Sequence, residues 1–150
     1  MSKSYRCIHT LVLCVTIGVA LTACVPSIVN IFDAPVKATG PNITEEDIKQ
    51  GVIRAGQSLG WSIRSEAPRT LVASLSVRDK TAVVAINYNI KTYSIAYRDS
   101  TNLGYKWGAI SDYGGTITNL STGQGRINKR YNDWVKELDA AIQIEISHLR

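Results

Sequence analysis

Four short runs of alternating apolar and polar residues in the middle of the chain constrain its fold most strongly. They read WSIRSE, TLVASLSV, TAVVAINY and TYSIAYRDS, and only RDK and NIK separate the last three. Alternation with a period of two places successive side chains on opposite faces of a strand, and tightly connected strands pair antiparallel. The pattern predicts a four-stranded antiparallel meander with one face on a core and the other nearer to water. On the last run, one face carries Tyr93, Ile95 and Tyr97 and the other Ser94, Ala96 and Arg98.

Helical patterns lie on both sides of this meander. Residues 45 to 59 follow Thr44, with Asp47 placed as in a capping box, and Gly60 provides a stop. The apolar stripe of this helix is Ile48, Val52, Ala55 and Leu59. A second stripe near the C-terminus is Tyr131, Trp134, Val135, Leu138, Ile142 and Leu149. The sequence therefore predicts an α+β domain in the order helix, four-stranded meander, helix, with both helices on one face of the sheet.

The first 23 residues have the composition of a targeting segment. Two basic residues precede the apolar run TLVLCVTIGVAL, which is shorter than the roughly 20 residues that span a bilayer. The run leads into LTAC, ending at Cys24, which resembles the lipobox of bacterial lipoproteins. That resemblance implies transfer of a diacylglyceryl group to Cys24, cleavage before it, and usually acylation of the new amino terminus. Two alternatives stay open: a cysteine that follows a signal by chance, and a buried N-terminal helix of a cytosolic protein.

A lipid anchor at this position sets the expected domain boundaries. Residues 1–23 would be the signal peptide, residues 24–42 a lipidated tether, and residues 43–150 a single α+β domain. The tether contains Pro and Gly without a sustained period, so it is expected to lack regular structure. Val25 follows the cysteine at a position where Asp tends to retain lipoproteins of enteric bacteria in the inner membrane. We therefore expect a lipid-anchored protein of the outer membrane that faces the periplasm.

Cysteine content and charge argue against several kinds of function. Cys7 and Cys14 would leave with the signal, and Cys24 would carry lipid, so no thiol remains for a disulfide, a metal or catalysis. The chain has a formal net charge of +5, and removal of Lys3 and Arg6 leaves 15 basic against 12 acidic residues. These charges are spread along the sequence, which argues against a nucleic-acid surface.

Several motifs of the domain resemble a family of small, poorly characterised lipoproteins of Gram-negative bacteria. They are GW at Gly60, TAVVAINY, TYSIAYRDSTNLGY and YNDWVKELDAAI, and the resemblance covers residues from about 45 to 145. It implies a helix, antiparallel sheet, helix arrangement and an envelope location, but no activity. The chain departs from the family in a long Gly-rich insertion between Leu103 and Tyr131. It also has Asn128 where relatives often carry a histidine, so no role of that histidine transfers here.

No pattern predicts catalysis, a metal or a cofactor. His148 is the one histidine of the mature chain and lies in the last helical turn, where a solvated residue is favoured by the helix dipole. Asp79, Asp99 and Asp112 lie on or near turns, where aspartates usually bond to nearby backbone. Their spacing does not indicate the acid pair of a glycosidase. The protein is therefore predicted not to be an enzyme.

Aromatic residues in the Gly-rich segment are the best candidates for contacts with a partner. Tyr105, Trp107 and Tyr113 lie beside Lys106 and in the same segment as Arg126, a combination that suits sugar rings or a protein surface. The alternative is that this segment packs on its own sheet. We expect a non-catalytic accessory component of an envelope assembly, attached to the membrane and bound to an envelope protein. The alternative function is binding or hydrolysis of peptidoglycan or another carbohydrate.

Overall fold

The computed structural model describes residues 26–106 and 125–149. Seven elements follow one another along the chain. They are β1 (Ile31–Pro35), α1 (Glu45–Ser58), β2 (Ser62–Ala67), β3 (Thr70–Val77), β4 (Lys80–Tyr88), β5 (Thr92–Thr101) and α2 (Lys129–Ser147). The α+β class and the order of helices and predicted strands are confirmed, with one additional strand.

All five strands form one antiparallel sheet in the order β1-β5-β4-β3-β2. The predicted alternation decides which side chains are buried, because one face of β4 and β5 meets both helices in a single hydrophobic core. That core includes Ala82, Val84, Ile86, Tyr93 and Ile95 from the two central strands. Residues on the opposite face, such as Arg98, are more exposed. The prediction that both helices cover one sheet face is therefore confirmed.

Capping residues define where α1 begins and ends. The Thr44 hydroxyl accepts a hydrogen bond of 3.2 Å from the Asp47 N–H, and Asp47 accepts one of 2.9 Å from the Thr44 N–H. This reciprocal pair is the predicted capping box, and it satisfies amide groups that the helix leaves free. Gly60 follows the helix with a φ of 81°, a conformation that favours glycine.

The two helices pack directly against one another. Gly51 lies at this contact, where a Cβ atom would be 3.7 Å from Cγ1 of Ile146, an ordinary van der Waals distance. Arg54 pairs with Glu145 at 3.1 Å at the edge of the same interface. Tyr131 and Trp134 from the predicted stripe of α2 are both buried in the core. The helix pair therefore covers the sheet as one layer.

The expectation of an irregular tether is wrong for residues 31–35, which form β1. This strand pairs with β5 through the registers Ile31 with Ile95 and Ala34 with Tyr93. The Pro and Gly content of the segment is compatible with a strand because β1 lies at the sheet edge, where Pro35 needs no ladder partner on its outer side. Cys24 and the predicted signal peptide lie outside the described residues.

Residues before and after β1 are also fixed to α2. Asn132 on α2 accepts a hydrogen bond of 2.9 Å from the Val29 N–H and donates one of 2.7 Å to the Ser27 carbonyl. Further along, the Thr39 N–H donates to the carbonyl of Leu149 at 3.3 Å. The segment from Ser27 to Thr39 therefore runs along the whole length of α2.

Candidate partner-binding surfaces

Three tyrosines form a stacked cluster where β5 leads into the Gly-rich segment. The rings of Tyr97 and Tyr105 are stacked with centroids 4.4 Å apart, and Tyr131 meets Tyr97 edge to face at 5.5 Å. Gly125 closes the other side of Tyr105, because a Cβ atom there would lie 2.5 Å from Cε2 of the ring. Burial raises the pKa of Tyr97 and, more strongly, that of Tyr131. This cluster extends the hydrophobic core beyond the end of β5.

Two of the predicted contact residues, Tyr105 and Arg126, are described by the structure, and their side chains point in different directions. Tyr105 is half-buried and packs inwards, whereas Arg126 is exposed. Their opposite directions follow from the isolated antiparallel bridge between Lys106 and Arg126, which places these two side chains on the side away from the Tyr105 ring. Trp107 and Tyr113 lie outside the described residues, so their contact role stays a prediction. For Tyr105, the geometry favours packing on the sheet.

Basic side chains are grouped near the first described residues of the chain. Arg126 forms a second bridge with Ser27, and Lys106 and Arg126 exchange two backbone hydrogen bonds of 2.8 Å. Two further basic residues, Lys129 and Arg130, begin α2 immediately afterwards and are exposed. We call the surface formed by Lys106, Arg126, Lys129 and Arg130 the basic end.

An open groove of about 390 Å³ lies between the chain after β1 and the C-terminal half of α2. Its walls include Pro35 and Lys37 on one side and Ala140, Gln143 and Ile144 on the other. Ile144 is 57% exposed and supplies apolar surface to this groove. The groove was not predicted from the sequence, although the isoleucine outside the predicted apolar stripe of α2 was a signal for it.

A smaller cleft of about 270 Å³ lies at the end of the sheet near the β2–β3 turn. Its polar groups bond to one another: Thr70 donates to Asn87 at 2.9 Å, and the Asp33 N–H donates to the Ser94 hydroxyl at 3.0 Å. Arg69, which also lines the cleft, pairs with Glu45 at 2.7 Å. Since these groups already have partners within the protein, the cleft offers few of them to a ligand.

The sheet face without helices is crossed by an ion pair. Arg98 on β5 reaches Glu66 on β2 across the two strands between them, and Arg64 lies 3.9 Å from the same carboxylate. The hydrogen bond from Arg98 lowers the pKa of Glu66. Val72 lies on this face and is nevertheless buried. The charged side chains of this ion pair therefore lie on the same sheet face as the buried Val72.

The residues considered for catalysis are not brought together. Asp79 pairs with Lys80 at 3.1 Å, and this hydrogen bond lowers its pKa, whereas a general acid needs a raised one. Asp99 accepts a hydrogen bond of 2.8 Å from the Ser100 N–H, as expected for an aspartate near a strand end. His148 is exposed and forms the C-cap of α2. Asp112 lies outside the described residues.

Within residues 26–106 and 125–149, no group of three or more His, Cys, Asp or Glu side chains could hold a metal ion. No helix in the same ranges has both the length and the apolar character needed to cross a bilayer. No protein-family model, curated protein or solved structure matches the chain significantly.

Proposed function

We propose that this protein is a bacterial envelope lipoprotein that is anchored through lipid on Cys24 and faces the periplasm from the outer membrane. In this role it is a non-catalytic accessory component that binds another envelope protein. The proposal for the anchor rests on the LTAC motif after a short apolar run. Two or three acyl chains on one residue hold a protein stably at a bilayer, because each buried methylene contributes about 0.8 kcal/mol.

The groove between β1 and α2 is the observation that supports a protein partner. Its wall carries the exposed side chain of Ile144. Large apolar side chains that anchor in a partner's pockets supply much of the affinity at protein interfaces. The groove also contains Lys37 and Gln143 at its rim, which suits a contact with an apolar centre and a polar border.

Other surfaces are less suited to a protein partner. The edge strand β1 has a register shift between Ile31 and Ala34 and ends at Pro35, features that prevent regular pairing with an added strand. The opposite edge strand, β2, carries Arg64 and Glu66, and charges protect an edge in the same way. A partner bound through side chains in the groove is therefore favoured over one that extends the sheet.

Binding or hydrolysis of peptidoglycan or another carbohydrate is the alternative function. It depends on Trp107 and Tyr113, whose rings could stack on sugars, and on an acid pair that includes Asp112. This alternative makes a different prediction about what is captured in cells: glycan fragments instead of a protein.

Crosslinking in living cells tests the proposed contact. A photoreactive amino acid at Ile144 in the full-length protein should capture one defined envelope protein, and the same probe at the exposed Gln57 of α1 should not. Ala140→Glu, which places a charge in the groove wall, should abolish capture from Ile144 while the protein remains folded. Equal capture from both positions would contradict the groove as the contact, and capture of glycan fragments alone would favour the alternative.

Labelling with radioactive palmitate tests the anchor separately. The wild-type protein should incorporate the label and fractionate with the outer membrane, whereas Cys24→Ala should remain an unlabelled precursor. Ser27→Ala is a matched control, because it changes a nearby exposed residue without removing the cysteine. Unchanged labelling of Cys24→Ala would contradict lipidation at this residue.

A further inference from the structure

The folded domain begins only a few residues after the proposed lipid anchor. Ser27 is already fixed, because its carbonyl accepts a hydrogen bond from Asn132 and its backbone is bridged to Arg126. Ser27 is three residue steps after Cys24, and a fully extended chain of that length spans about 11 Å. If Cys24 carries the lipid, this end of the domain is held within about 11 Å of the anchored residue.

The side chains at this end point outwards and are basic. Residues directly opposite one another in an antiparallel bridge project to the same side, so Ser27, Lys106 and Arg126 share one surface. Lys129 adds a side chain that is 79% exposed. Arg130 is exposed in the next position. Four basic residues therefore surround the point where the chain leaves the domain towards Cys24.

Acidic residues near the basic end leave most of this charge uncompensated. Lys129 pairs with Asp133 at 3.3 Å, and Asp79, near the end of β5, pairs with Lys80. Within residues 26–106 and 125–149, no acidic side chain lies within 4.0 Å of the charged groups of Lys106, Arg126 or Arg130. Among the residues that the structure describes, these three side chains therefore have no ion-pair partner.

The opposite end of the domain carries the acidic start of α1. Glu45 pairs there with Arg69 in the β2–β3 turn, and Glu46 and Asp47 follow in the first helical turn. The β4–β5 turn with Lys91 lies at this same end, since β5 runs from Thr92 towards the basic end over ten residues. With Arg69, Lys91 and Lys37, this end carries charges of both signs, whereas the basic end lies next to the proposed anchor.

We infer that the basic end binds the anionic phospholipid headgroups around the lipid anchor and holds the domain upright on the membrane. This inference rests on the proposed anchor at Cys24. A span of about 11 Å keeps the basic end close to the headgroups, where the Debye length is about 8 Å at physiological salt. Basic residues so near an anionic surface are attracted to it, and the attractions of several such residues add. The groove between the chain after β1 and the C-terminal half of α2 then lies away from the membrane, open to the periplasm.

Lysine footprinting of the lipidated full chain tests this orientation. The purified protein is reconstituted in phosphatidylcholine vesicles or in the same vesicles containing phosphatidylglycerol, acetylated briefly, and analysed by mass spectrometry. Phosphatidylglycerol should slow acetylation of Lys106 and Lys129 by at least about three-fold, and high salt should restore it. Lys91 and Lys37, which lie at the other end, are internal controls and should react equally in both vesicles.

Charge-reversal variants make the result specific to the basic end. Lys106→Glu with Arg126→Glu should remove the protection of Lys129, and their backbone bridge does not depend on the side chains. Lys37→Glu with Lys91→Glu reverses the same number of charges at the other end and should keep the protection. Equal acetylation of Lys129 in both vesicles, or protection of all lysines alike, would overturn the inference. An intact mass without lipid on Cys24 would instead overturn the anchor, and the inference with it.

Discussion

The hydroxyl of Tyr93 donates a hydrogen bond of 2.5 Å to Oδ1 of Asp139 and so joins the central part of the sheet to α2. The other carboxylate oxygen accepts a bond of 3.0 Å from Nε2 of Gln143, one turn further along the helix. Tyr93 is buried and Asp139 half-buried, so the bond is only partly exposed to water. A hydrogen bond to a charged acceptor is stronger than a neutral one, and this one fixes how α2 is rotated against the sheet.

Tyr93→Phe should lower the free energy of unfolding by about 1.5 to 3 kcal/mol. It removes the hydroxyl donor and leaves Oδ1 of Asp139 without that hydrogen bond. Urea unfolding followed by circular dichroism measures this change. Gln143→Ala is the matched control, since it removes only the exposed donor to the same carboxylate and should cost less than about 1 kcal/mol. An unchanged urea midpoint for Tyr93→Phe would show that the bond does not contribute to stability.

Stability should decline above about pH 10. Burial first, and the hydrogen bond to Asp139 second, raise the pKa of Tyr93 in the folded protein, and burial also raises that of Tyr131. The unfolded tyrosines lose their protons near pH 10, before the folded ones, so the stability that these two groups contribute is constant below this pH and falls as the pH rises further. Urea midpoints between pH 8 and about pH 11 test this. The double variant with Phe at both positions should show a shallower decline, and a parallel decline would contradict the assignment.

Tyr131→Phe should be neutral or stabilise the protein by up to about 1 kcal/mol. The Tyr131 hydroxyl is fully buried and has no hydrogen-bond partner among residues 26–106 and 125–149. A buried hydroxyl without a partner carries a desolvation cost, which phenylalanine avoids while it keeps the ring contact with Tyr97. Thermal unfolding measures the difference. A loss comparable to that of Tyr93→Phe would indicate a partner for this hydroxyl in the remaining part of the chain.

Gly125→Ala should destabilise the domain by about 1 to 3 kcal/mol, because the new methyl group would collide with a Tyr105 ring that is stacked on Tyr97. The same substitution in a Tyr105→Ala background should cost much less, since the collision partner is absent. Urea unfolding of the wild type, the two single variants and the double variant gives the coupling energy between the two substitutions. A coupling near zero would mean that Tyr105 does not occupy the space over Gly125 and would favour a role for its ring at the surface.

Asn132→Ala should cost about 2 kcal/mol and act mainly on the N-terminal segment, because it removes both hydrogen bonds that fix Ser27 and Val29. Limited proteolysis should then cleave near these residues faster, while the core remains protected. Asn132→Asp keeps the acceptor for the Val29 N–H but buries a carboxylate oxygen against the Ser27 carbonyl, so it should cost at least as much as Asn132→Ala. If both variants were cleaved near these residues at the wild-type rate, other contacts would hold this segment.

Local sequence patterns predicted most of the elements. The helix expected over residues 45 to 59 ends one residue earlier at Ser58, and the four alternating runs became β2 to β5. These elements depend on short-range periodicity and capping, which a single sequence displays directly. β1 was not predicted, because its five residues include Pro35, and Asp33 has a φ of 48°. Its pairing partner, β5, lies about 60 residues away along the chain.

Surface roles were harder to predict than elements. Whether Tyr105 packs or faces outwards depends on Tyr97 and Gly125, and only the folded backbone brings these residues together. The groove at Ile144 likewise needs the segment after β1, which had no predicted structure. The basic end was not anticipated because its residues are separated in sequence, and the bridge between Lys106 and Arg126 joins them.

The attachment of the N-terminal segment to α2 also determines the order in which the domain can fold. Asp33 bonds to Ser94, 61 positions later, and Val29 bonds to Asn132, 103 positions later. During synthesis or export with the N-terminus first, β1 emerges before either of its partners exists. The meander has short-range contacts and can form early, whereas such long-range contacts form slowly. The residues nearest to Cys24 are therefore expected to join the fold last, after the helix at the other terminus has been completed.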